Sequence, residues 1–253
     1  MRKKFLIILL MVFIFSNLAY GKNLKIGHDP WAPYTLDVDS EKPGFSIELL
    51  KKIFNEYDLQ FFLQPYSRAI VEIDNGNLDI LPVVYESDFE GKKAIFSEEE
   101  VGISLNSFFV RSDSSWTFTG ETSLNNQRIG LIHGYTYYEE FITKYLETNK
   151  NKAQYLSGVG NIIERSLEKV ILKRIDAYFD DTIVVNYTIK KLKFAGIKEI
   201  KTNEEPTPLK IVVSNKNSEA SKLVEMFDAK IKEMRKNGEL KKILDLYGLN
   251  DWK

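Results

Sequence analysis

NLDILPVVY at residues 77–85 and RIDAYFDD at residues 174–181 are two versions of one pattern, and this repeat decides the fold. Each run follows a stretch with helical periodicity, has an Asp at its third position, and continues as a short apolar strand toward polar or aromatic residues. Ligands bind beyond the carboxyl ends of the strands in an open α/β sheet, so the residues that end the two runs are the first site candidates. Two such halves predict two lobes with a cleft between them.

The N-terminal segment has the pattern of a cleavable secretory signal. Basic residues 2–4 precede an almost uninterrupted apolar run over residues 5–15, and small residues at Ala19 and Gly21 fit a cleavage site. The run is shorter than the roughly 20 apolar residues that a membrane span needs, which disfavours the alternative of an uncleaved anchor. The chain contains no Cys, so attachment of a lipid through Cys is not available. We therefore expect a periplasmic protein, released by cleavage after residue 21, that is not a lipoprotein.

The charge balance argues against a nucleic-acid partner. The chain has 35 basic and 36 acidic side chains, and loss of the three basic residues in the leader leaves 32 basic ones and a formal net charge of −4. Nucleic-acid binding requires a clustered basic surface, which this composition does not indicate.

The first half of the mature chain has alternating strand and helix patterns. Residues 24–28 predict a strand, and the loop 29–34 that follows contains Trp31 and Tyr34 together with two prolines, which stiffen the backbone. Apolar spacing of three and four residues predicts a helix over 49–57. A strand at 59–63, a helix that begins after residues 65–68 and stops near Gly76, and a strand at 78–84 complete a βαβαβ unit.

The second half repeats this order. Residues 102–110 predict a β-rich run that crosses to the second lobe, and a strand at 129–133 leads into Gly134, Tyr135 and Thr136, which we expect to begin a helix. A helix start presents unpaired N–H groups that suit a carboxylate. A helix over 161–173 precedes the second copy of the repeat, residues 206–208 predict the return crossing, and the last two helices are expected to pack on the first lobe.

The ordered set of motifs resembles the bacterial solute-binding protein family 3, the amino-acid-type periplasmic binding proteins of ABC importers, over nearly all of the mature chain. The motifs are LKIG (24–27), GFSIEL (44–49), NGNLDI (75–80), FS (96–97), GLIHGYT (130–136), IDA (175–177) with Asp181, and KNGEL (236–240). The resemblance implies a two-lobed, type II-like α/β fold with a mixed sheet in each lobe, helices on the sheets, two hinge crossings and closure by hinge bending. We expect residues 22–104 and 206–253 to form lobe 1 and residues 105–205 to form lobe 2.

The resemblance also implies a ligand site. It places a ligand side chain against Trp31, Tyr34 or Tyr66, a ligand carboxylate on the backbone from Gly134 to Thr136, and a ligand amino group on Asp181. Tyr85 and His133 join the candidates because each ends a predicted strand that points at the cleft. We interpret Asp79 and Asp176 as turn formers and Asp180 as a solvated neighbour of Asp181.

One departure from the family concerns the ligand carboxylate. Members that bind amino acids usually carry an Arg shortly before the Phe-Ser pair, whereas residues 86–93 read ESDFEGKK with Glu90 nearest that place. A carboxylate there would repel the carboxylate of an amino acid. Arg68 is one hypothetical substitute, with an ordinary surface charge as the alternative. A cationic or neutral ligand, or a ligand that is not an amino acid, is also open.

His28 and His133 each end the first strand of their half, but no close metal-ligand motif surrounds them, and we expect neither a metal nor another cofactor.

We predict a non-enzymatic, monomeric receptor that captures a small polar metabolite, an amino acid or a related compound, and delivers it to a membrane ABC permease. One alternative is an enzyme on the same fold that resembles cyclohexadienyl dehydratases, although the sequence shows no convergent nucleophile and base. A second alternative is a soluble ligand sensor for a membrane kinase.

Overall fold

The computed structural model describes residues 22–135, 137, 139–157 and 161–253. The predicted signal peptide and Thr136 therefore lie outside the described residues. The helices are α1 (Phe45–Ile53), α2 (Tyr66–Asn75), α3 (Glu140–Thr148), α4 (Ile162–Ile171), α5 (Thr182–Leu192), α6 (Ala220–Asn237) and α7 (Glu239–Tyr247). The strands are β1 (Asn23–His28), β2 (Asp58–Leu63), β3 (Ile80–Val84), β4 (Ala94–Phe96), β5 (Gly102–Ser104), β6 (Asn106–Arg111), β7 (Ile129–Ile132), β8 (Gln154–Leu156), β9 (Ala177–Asp181), β10 (Ile197–Lys201) and β11 (Thr207–Ser214).

The two sheets have the same strand arrangement. The first has the order β2-β1-β3-β11-β4, with β5 also paired to β11, and the second has the order β8-β7-β9-β6-β10. In each sheet the first three strands are parallel and the last two run antiparallel to their neighbours. The fourth strand of each sheet, β11 or β6, directly follows a strand of the other sheet. This topology confirms the two-lobed fold with mixed sheets and two crossings, while the exact lobe boundaries stay a prediction.

The repeated aspartates hold equivalent places in the two sheets. A carboxylate oxygen of Asp79 accepts the backbone N–H of Lys25 at 2.8 Å, and a carboxylate oxygen of Asp176 accepts the backbone N–H of Arg128 at 2.8 Å. The backbone N–H of each Asp donates in return to the carbonyl of the same partner, again at 2.8 Å in both lobes. The interpretation as local turn formers was therefore wrong, because both aspartates join two chain segments at the entrance to the sheet.

Stability that depends on Asp176 should change with pH. The Arg128 guanidinium donates to both oxygens of this carboxylate, at 2.8 and 2.9 Å, and this hydrogen bonding holds the pKa of Asp176 below its ordinary value. A lowered folded-state pKa means that the interaction stabilises the protein above the unfolded-state pKa of roughly 3.9 and is lost as the pH falls through the folded value. We expect Asp176→Asn to lower the free energy of unfolding by about 1–2 kcal/mol at neutral pH, and by much less once the pH falls below the folded-state pKa of Asp176.

Urea denaturation of both proteins, from neutral pH to acidic pH, measures how much the Asp176→Asn change lowers the free energy of unfolding. Asp113→Asn is the matched control, because Asp113 pairs with Arg111 at the surface, where its side chain is 70% exposed. An Asp176→Asn cost that does not change with pH would contradict the assignment.

Helices cover both faces of each sheet. In the first sheet, α1, α6 and α7 pack on one face and α2 on the other, and Phe227, Ile231 and Leu240 are fully buried there. The prediction that the last two helices pack on the first lobe is thus confirmed. In the second sheet, α3 contributes to one core cluster, and α4 and α5 to another. None of the described residues belongs to a helix with the length and apolarity of a membrane span.

The loop after β7 differs from its prediction. The helix expected to begin at residues 134–136 begins at Glu140 instead, and Gly134 lies in a turn. The apolar residues that bury this helix against the second sheet are Phe141, Ile142 and Tyr145. All three lie after residue 140. Residues 134 and 135 therefore offer loop backbone to the cleft rather than the start of a helix.

Candidate functional site

A cavity of about 430 Å³ lies between the two sheets. The first sheet contributes the carboxyl ends of β1 and β3 together with the first residues of α2, and the second sheet contributes the start of β6, the loop after β7 and Asp180 of β9. A second cavity of about 290 Å³ shares five lining residues with it: Asp29, Tyr66, Ser67, Gly134 and Tyr135. The site therefore forms where the strand ends meet, as expected for an open α/β sheet.

Six of the predicted ligand residues line these cavities. Trp31, Tyr66, Tyr85, Gly134 and Tyr135 line the larger cavity, and His133 lines the smaller one. They come from both sheets, so the folded chain brings together side chains that lie about 100 positions apart in the sequence.

Tyr34 supports the cavity wall instead of lining it. Its ring stacks on Trp31 with the ring centroids 4.5 Å apart and the planes 17° from parallel. The Tyr34 side chain is buried, and its hydroxyl donates to the carbonyl of Ile103 at 2.5 Å. Trp31 has a buried indole N–H with no hydrogen-bond partner among the described residues. Tyr34 thus fixes the ring of Trp31, whose indole N–H is left without a partner among the described residues.

Arg68 lies outside both cavities. Its side chain is 69% exposed and faces Glu72 across one helical turn at 3.5 Å. The reason is the helix phase, because α2 buries Ala69 and Ile73 and so turns Arg68 toward solvent. Its position therefore gives the predicted contact no support.

Lys92 is the cation that lines the cavity in the stretch where the family Arg is missing, and Glu90 is exposed beside it. Sequence reasoning missed Lys92, although two lysines stand just before β4.

Asp180 lines the cavity and Asp181 does not, which is the reverse of what we expected. Asp181 is buried and does not line the cavity. One of its carboxylate oxygens accepts the N–H of Val184 at 2.9 Å, and the other accepts the Ser104 hydroxyl at 2.5 Å. Asp180, which we interpreted as solvated, is 2% exposed and lines the cavity. Successive side chains of a strand point to opposite faces, so one residue of β9 reaches the cavity and its neighbour does not.

Two carboxyl groups of the cavity have pKa values above the ordinary value of an Asp side chain. Burial raises the pKa of Asp180 to about 7, although the Tyr178 hydroxyl and the backbone N–H of Asp181 donate to its carboxylate. Burial also raises the pKa of Asp29, at the end of β1, to about 6. Sequence reasoning passed over Asp29, although it directly follows the predicted first strand. Each group is costly to ionise without a positive partner, so a cation in the cavity would stabilise both carboxylates.

The cavity lining is acidic. Among the described residues that form it, Asp29, Asp88 and Asp180 carry carboxylates, and Lys92 carries an ammonium group. His28 is 6% exposed, burial lowers its pKa despite the nearby Asp37, and its Nδ1 has no partner in the described part of the chain. The described ranges contain no group of three or more His, Asp or Glu side chains placed to hold a metal ion.

The comparisons with known proteins agree with this architecture. The model of the bacterial extracellular solute-binding proteins, family 3, matches residues 24–250. An arginine-binding periplasmic protein of Mannheimia haemolytica is 24% identical over 234 residues, which are 90% of this chain and 91% of the relative.

Two solved structures are similar to the whole fold. One is an ancestral arginine-binding protein bound to arginine, with a TM-score of 0.71 and 19% identity over 90% of this chain and 99% of the other. The other is an ancestral amino acid-binding protein, a precursor of cyclohexadienyl dehydratase, with a TM-score of 0.68 and 19% identity over 89% of this chain and 95% of the other. At these identities the two structures show the shared fold.

Proposed function

Because this chain belongs to the bacterial extracellular solute-binding proteins, family 3, we propose that it captures a small cationic amino acid or a related amine between its two sheets. The observation that carries the proposal is the excess of carboxylates in the cavity, where Asp29, Asp88 and Asp180 stand against Lys92. The arginine-binding relative supports the same class of ligand.

Burial makes the binding of a cation to these carboxylates favourable. An ionised carboxylate in a poorly hydrated site is unfavourable, and a guanidinium or ammonium partner offsets that cost through charge-assisted hydrogen bonds. Aromatic rings add to the attraction, because Trp31, Tyr66 and Tyr135 line the same space and a cation is drawn to the face of such a ring. An acidic ligand would meet repulsion from the same groups.

The carboxylate end of an amino acid has a partner in Lys92. We expect Lys92→Ala to weaken the binding of L-arginine by about 2- to 5-fold, the range expected of an exposed ion pair. Agmatine, which is arginine without its carboxylate, should lose almost nothing. Titration calorimetry measures both affinities.

Arg68→Ala is the matched control for Lys92→Ala, because it removes an exposed cation of the same lobe that lies outside both cavities. Loss of affinity in the Arg68 variant with none in the Lys92 variant would restore the original assignment of the carboxylate to Arg68.

Transport is the role we propose for the captured ligand. Residues 1–21 would direct export and be cleaved, and the two crossings between the sheets would serve as the hinge for closure on the ligand. The closed protein would then deliver its ligand, as a monomer, to a membrane ABC permease.

A thermal-shift screen tests the proposed ligand class. A ligand that binds only the native state raises the melting temperature, so lysine, arginine, ornithine and simple polyamines should raise it. Glutamate and aspartate should not. A shift with acidic amino acids alone would contradict the proposal.

Catalysis is the second candidate, and the carboxyl group of Asp180 favours it. A buried acid with a pKa of about 7 can give or take a proton at neutral pH, and one structure with this fold is of a precursor of a dehydratase. Incubation of the purified protein with prephenate or arogenate tests this activity. Formation of product would establish an enzyme, and its absence would leave the binding role.

A further inference from the structure

We infer that the end of the second sheet opposite the cavity is a docking surface for a membrane of anionic phospholipids. This end, here called the basic pole, consists of residues 111–114, 125–128, 149–153, 172–176 and 193–198. The inference goes beyond the proposed function, since it concerns neither the cavity nor its ligand.

The directions of the strands place these five segments side by side. Strands β7, β8 and β9 are parallel, and Asp180, near the carboxyl end of β9, lines the larger cavity, so the amino ends of all three strands lie at the other end of the sheet. Strand β6 runs antiparallel to β9, and β10 runs antiparallel to β6, so β6 ends and β10 begins at the same edge. Because neighbouring strands lie about 4.8 Å apart, the five strand ends span roughly 20 Å.

Hydrogen bonds between the segments connect them into one surface. The Arg128 guanidinium, before β7, donates to the carbonyl of Lys173, before β9, at 2.8 Å. The Lys198 ammonium group, on β10, donates to the carbonyl of Ser114, after β6, at 2.6 Å. These contacts fix the segments relative to each other without a carboxylate, so they leave the positive charges in place.

The pole is strongly basic. Its five segments contain eight basic side chains and two carboxylates. Both carboxylates already have a partner within the pole, since Asp113 pairs with Arg111 and Asp176 pairs with Arg128. Among the described residues, the other six basic side chains form no ion pair, and five of the six are exposed. These six are Lys150, Lys152, Lys173, Arg174, Lys193 and Lys198.

The composition of the chain conceals this cluster because the rest of the chain is acidic. Residues 22–253 have a formal net charge of −4, and the pole has +6, so the remaining residues carry −10. Electrostatic interactions in solution extend over about 10 Å at roughly 0.1 M salt, so neighbouring cations of the pole act together on a partner. An anionic surface attracts the pole and repels the remainder of the protein, which orients the molecule with the pole toward that surface.

A membrane fits the pole better than a nucleic acid does. Leu172, beside Lys173, is 58% exposed, and Ile171 at the end of α4 is 37% exposed. Aliphatic side chains among cations suit a membrane surface, where the cations meet the headgroups and the aliphatic groups meet the acyl boundary. Single-stranded nucleic acids are bound by stacking on aromatic rings, and Phe194, the aromatic residue of the five segments, packs against a core cluster instead.

Docking through the pole leaves the ligand site accessible. None of the described residues that line either cavity belongs to the five segments. The protein can therefore bind a membrane and a ligand at the same time.

Co-sedimentation of the protein, residues 22–253, with lipid vesicles tests the inference. One set of vesicles contains phosphatidylcholine alone, and the other contains phosphatidylcholine with an equal amount of phosphatidylglycerol. We expect the protein to bind the anionic vesicles at low ionic strength, to be released as the salt concentration rises, and not to bind the neutral vesicles.

A charge-reversal variant locates the surface. The combined changes Lys150→Glu, Arg174→Glu and Lys198→Glu reverse the charge at three of the five strand ends. Each basic side chain near an anionic membrane contributes roughly fivefold to binding, so we expect this variant to bind the anionic vesicles at least about 100-fold more weakly.

The matched control changes the net charge by the same amount elsewhere. Lys52→Glu, Lys236→Glu and Lys242→Glu alter exposed lysines of α1, α6 and α7, which pack on the first sheet. We expect the control to weaken binding by less than about fivefold. Equal losses in the two variants would overturn the inference, because they would show an effect of net charge alone.

The unmodified protein supplies a second test that does not depend on the folding of a variant, which melting curves check. Absence of binding to the anionic vesicles at low ionic strength, or equal binding to the neutral vesicles, would overturn the inference. Binding to a duplex oligonucleotide but not to the anionic vesicles would also overturn it. Failure to bind cationic amino acids would instead contradict the proposed function and leave the docking surface unaffected.

Discussion

Asp29→Asn is expected to weaken the binding of a cationic amino acid by about 10- to 100-fold, the loss that follows when a charged hydrogen-bond partner is removed. Asp29 lines both cavities just after the end of β1. Asn has nearly the same shape, so the loop keeps its structure and the charge alone is removed. Titration calorimetry with L-arginine measures the loss.

The pH dependence of the ligand affinity also tests the charge of Asp29. Burial raises the pKa of Asp29 to about 6, so protons compete with the cationic ligand as the pH falls through that value. We expect the affinity of the unmodified protein to decrease from pH 8 to pH 5 and the Asp29→Asn variant to show a weaker decrease. Asp39→Asn, in an exposed part of the following loop, is the control and should behave like the unmodified protein. Unchanged affinity in Asp29→Asn would remove Asp29 from the site.

Gly44→Ala is expected to lower the free energy of unfolding by about 2–5 kcal/mol, because backbone strain and steric overlap add at this position. Gly44 precedes α1 with φ at 101°, in the region that favours glycine. A Cβ there would lie 2.3 Å from the carbonyl oxygen of Tyr34 and 2.7 Å from the Cα of Thr35. Both atoms belong to the backbone, so neither can move aside by a change of rotamer. The loop that carries Trp31 would have to shift as a whole.

Gly196→Ala separates the two contributions. Gly196 also has a positive φ, of 83°, but a Cβ there meets nothing within 4 Å. It should cost only about 1 kcal/mol, from the backbone conformation alone. Urea denaturation measures both variants. If the Gly44→Ala variant were as stable as the Gly196→Ala variant, the loop that carries Trp31 would move at little cost in free energy. The conclusion that this loop is rigid would then be wrong.

The sequence predicted the parts of this fold that repeat. The repeated pattern around Asp79 and Asp176 identified two equivalent halves, and in the structure both aspartates make equivalent hydrogen bonds, to the backbone of Lys25 and of Arg128. Helices with strong apolar periodicity were found because burial of one face requires that periodicity. Strands β4 and β8 were missed because three residues are too short to show a period, and β10 because three of its five residues are charged.

The site was predictable at the level of strand ends but not of single side chains. The two carboxylates at positions 180 and 181 are adjacent, and only the pleat of β9 decides which one reaches the cavity. Arg68 failed as a candidate for a similar reason, since the phase of α2 turns it to solvent. Tyr34 lies beneath Trp31, although their spacing in the sequence allows either ring to face the cleft.

The central claim is that carboxylates select a cation in the cleft, and calorimetric titration with L-arginine and L-citrulline tests it most directly. The two amino acids have nearly the same shape, but the side chain of citrulline is neutral. We predict that arginine binds at least about tenfold more tightly, as expected for a charge-assisted pair with a buried carboxylate. Equal affinities, or tighter binding of citrulline, would contradict the account.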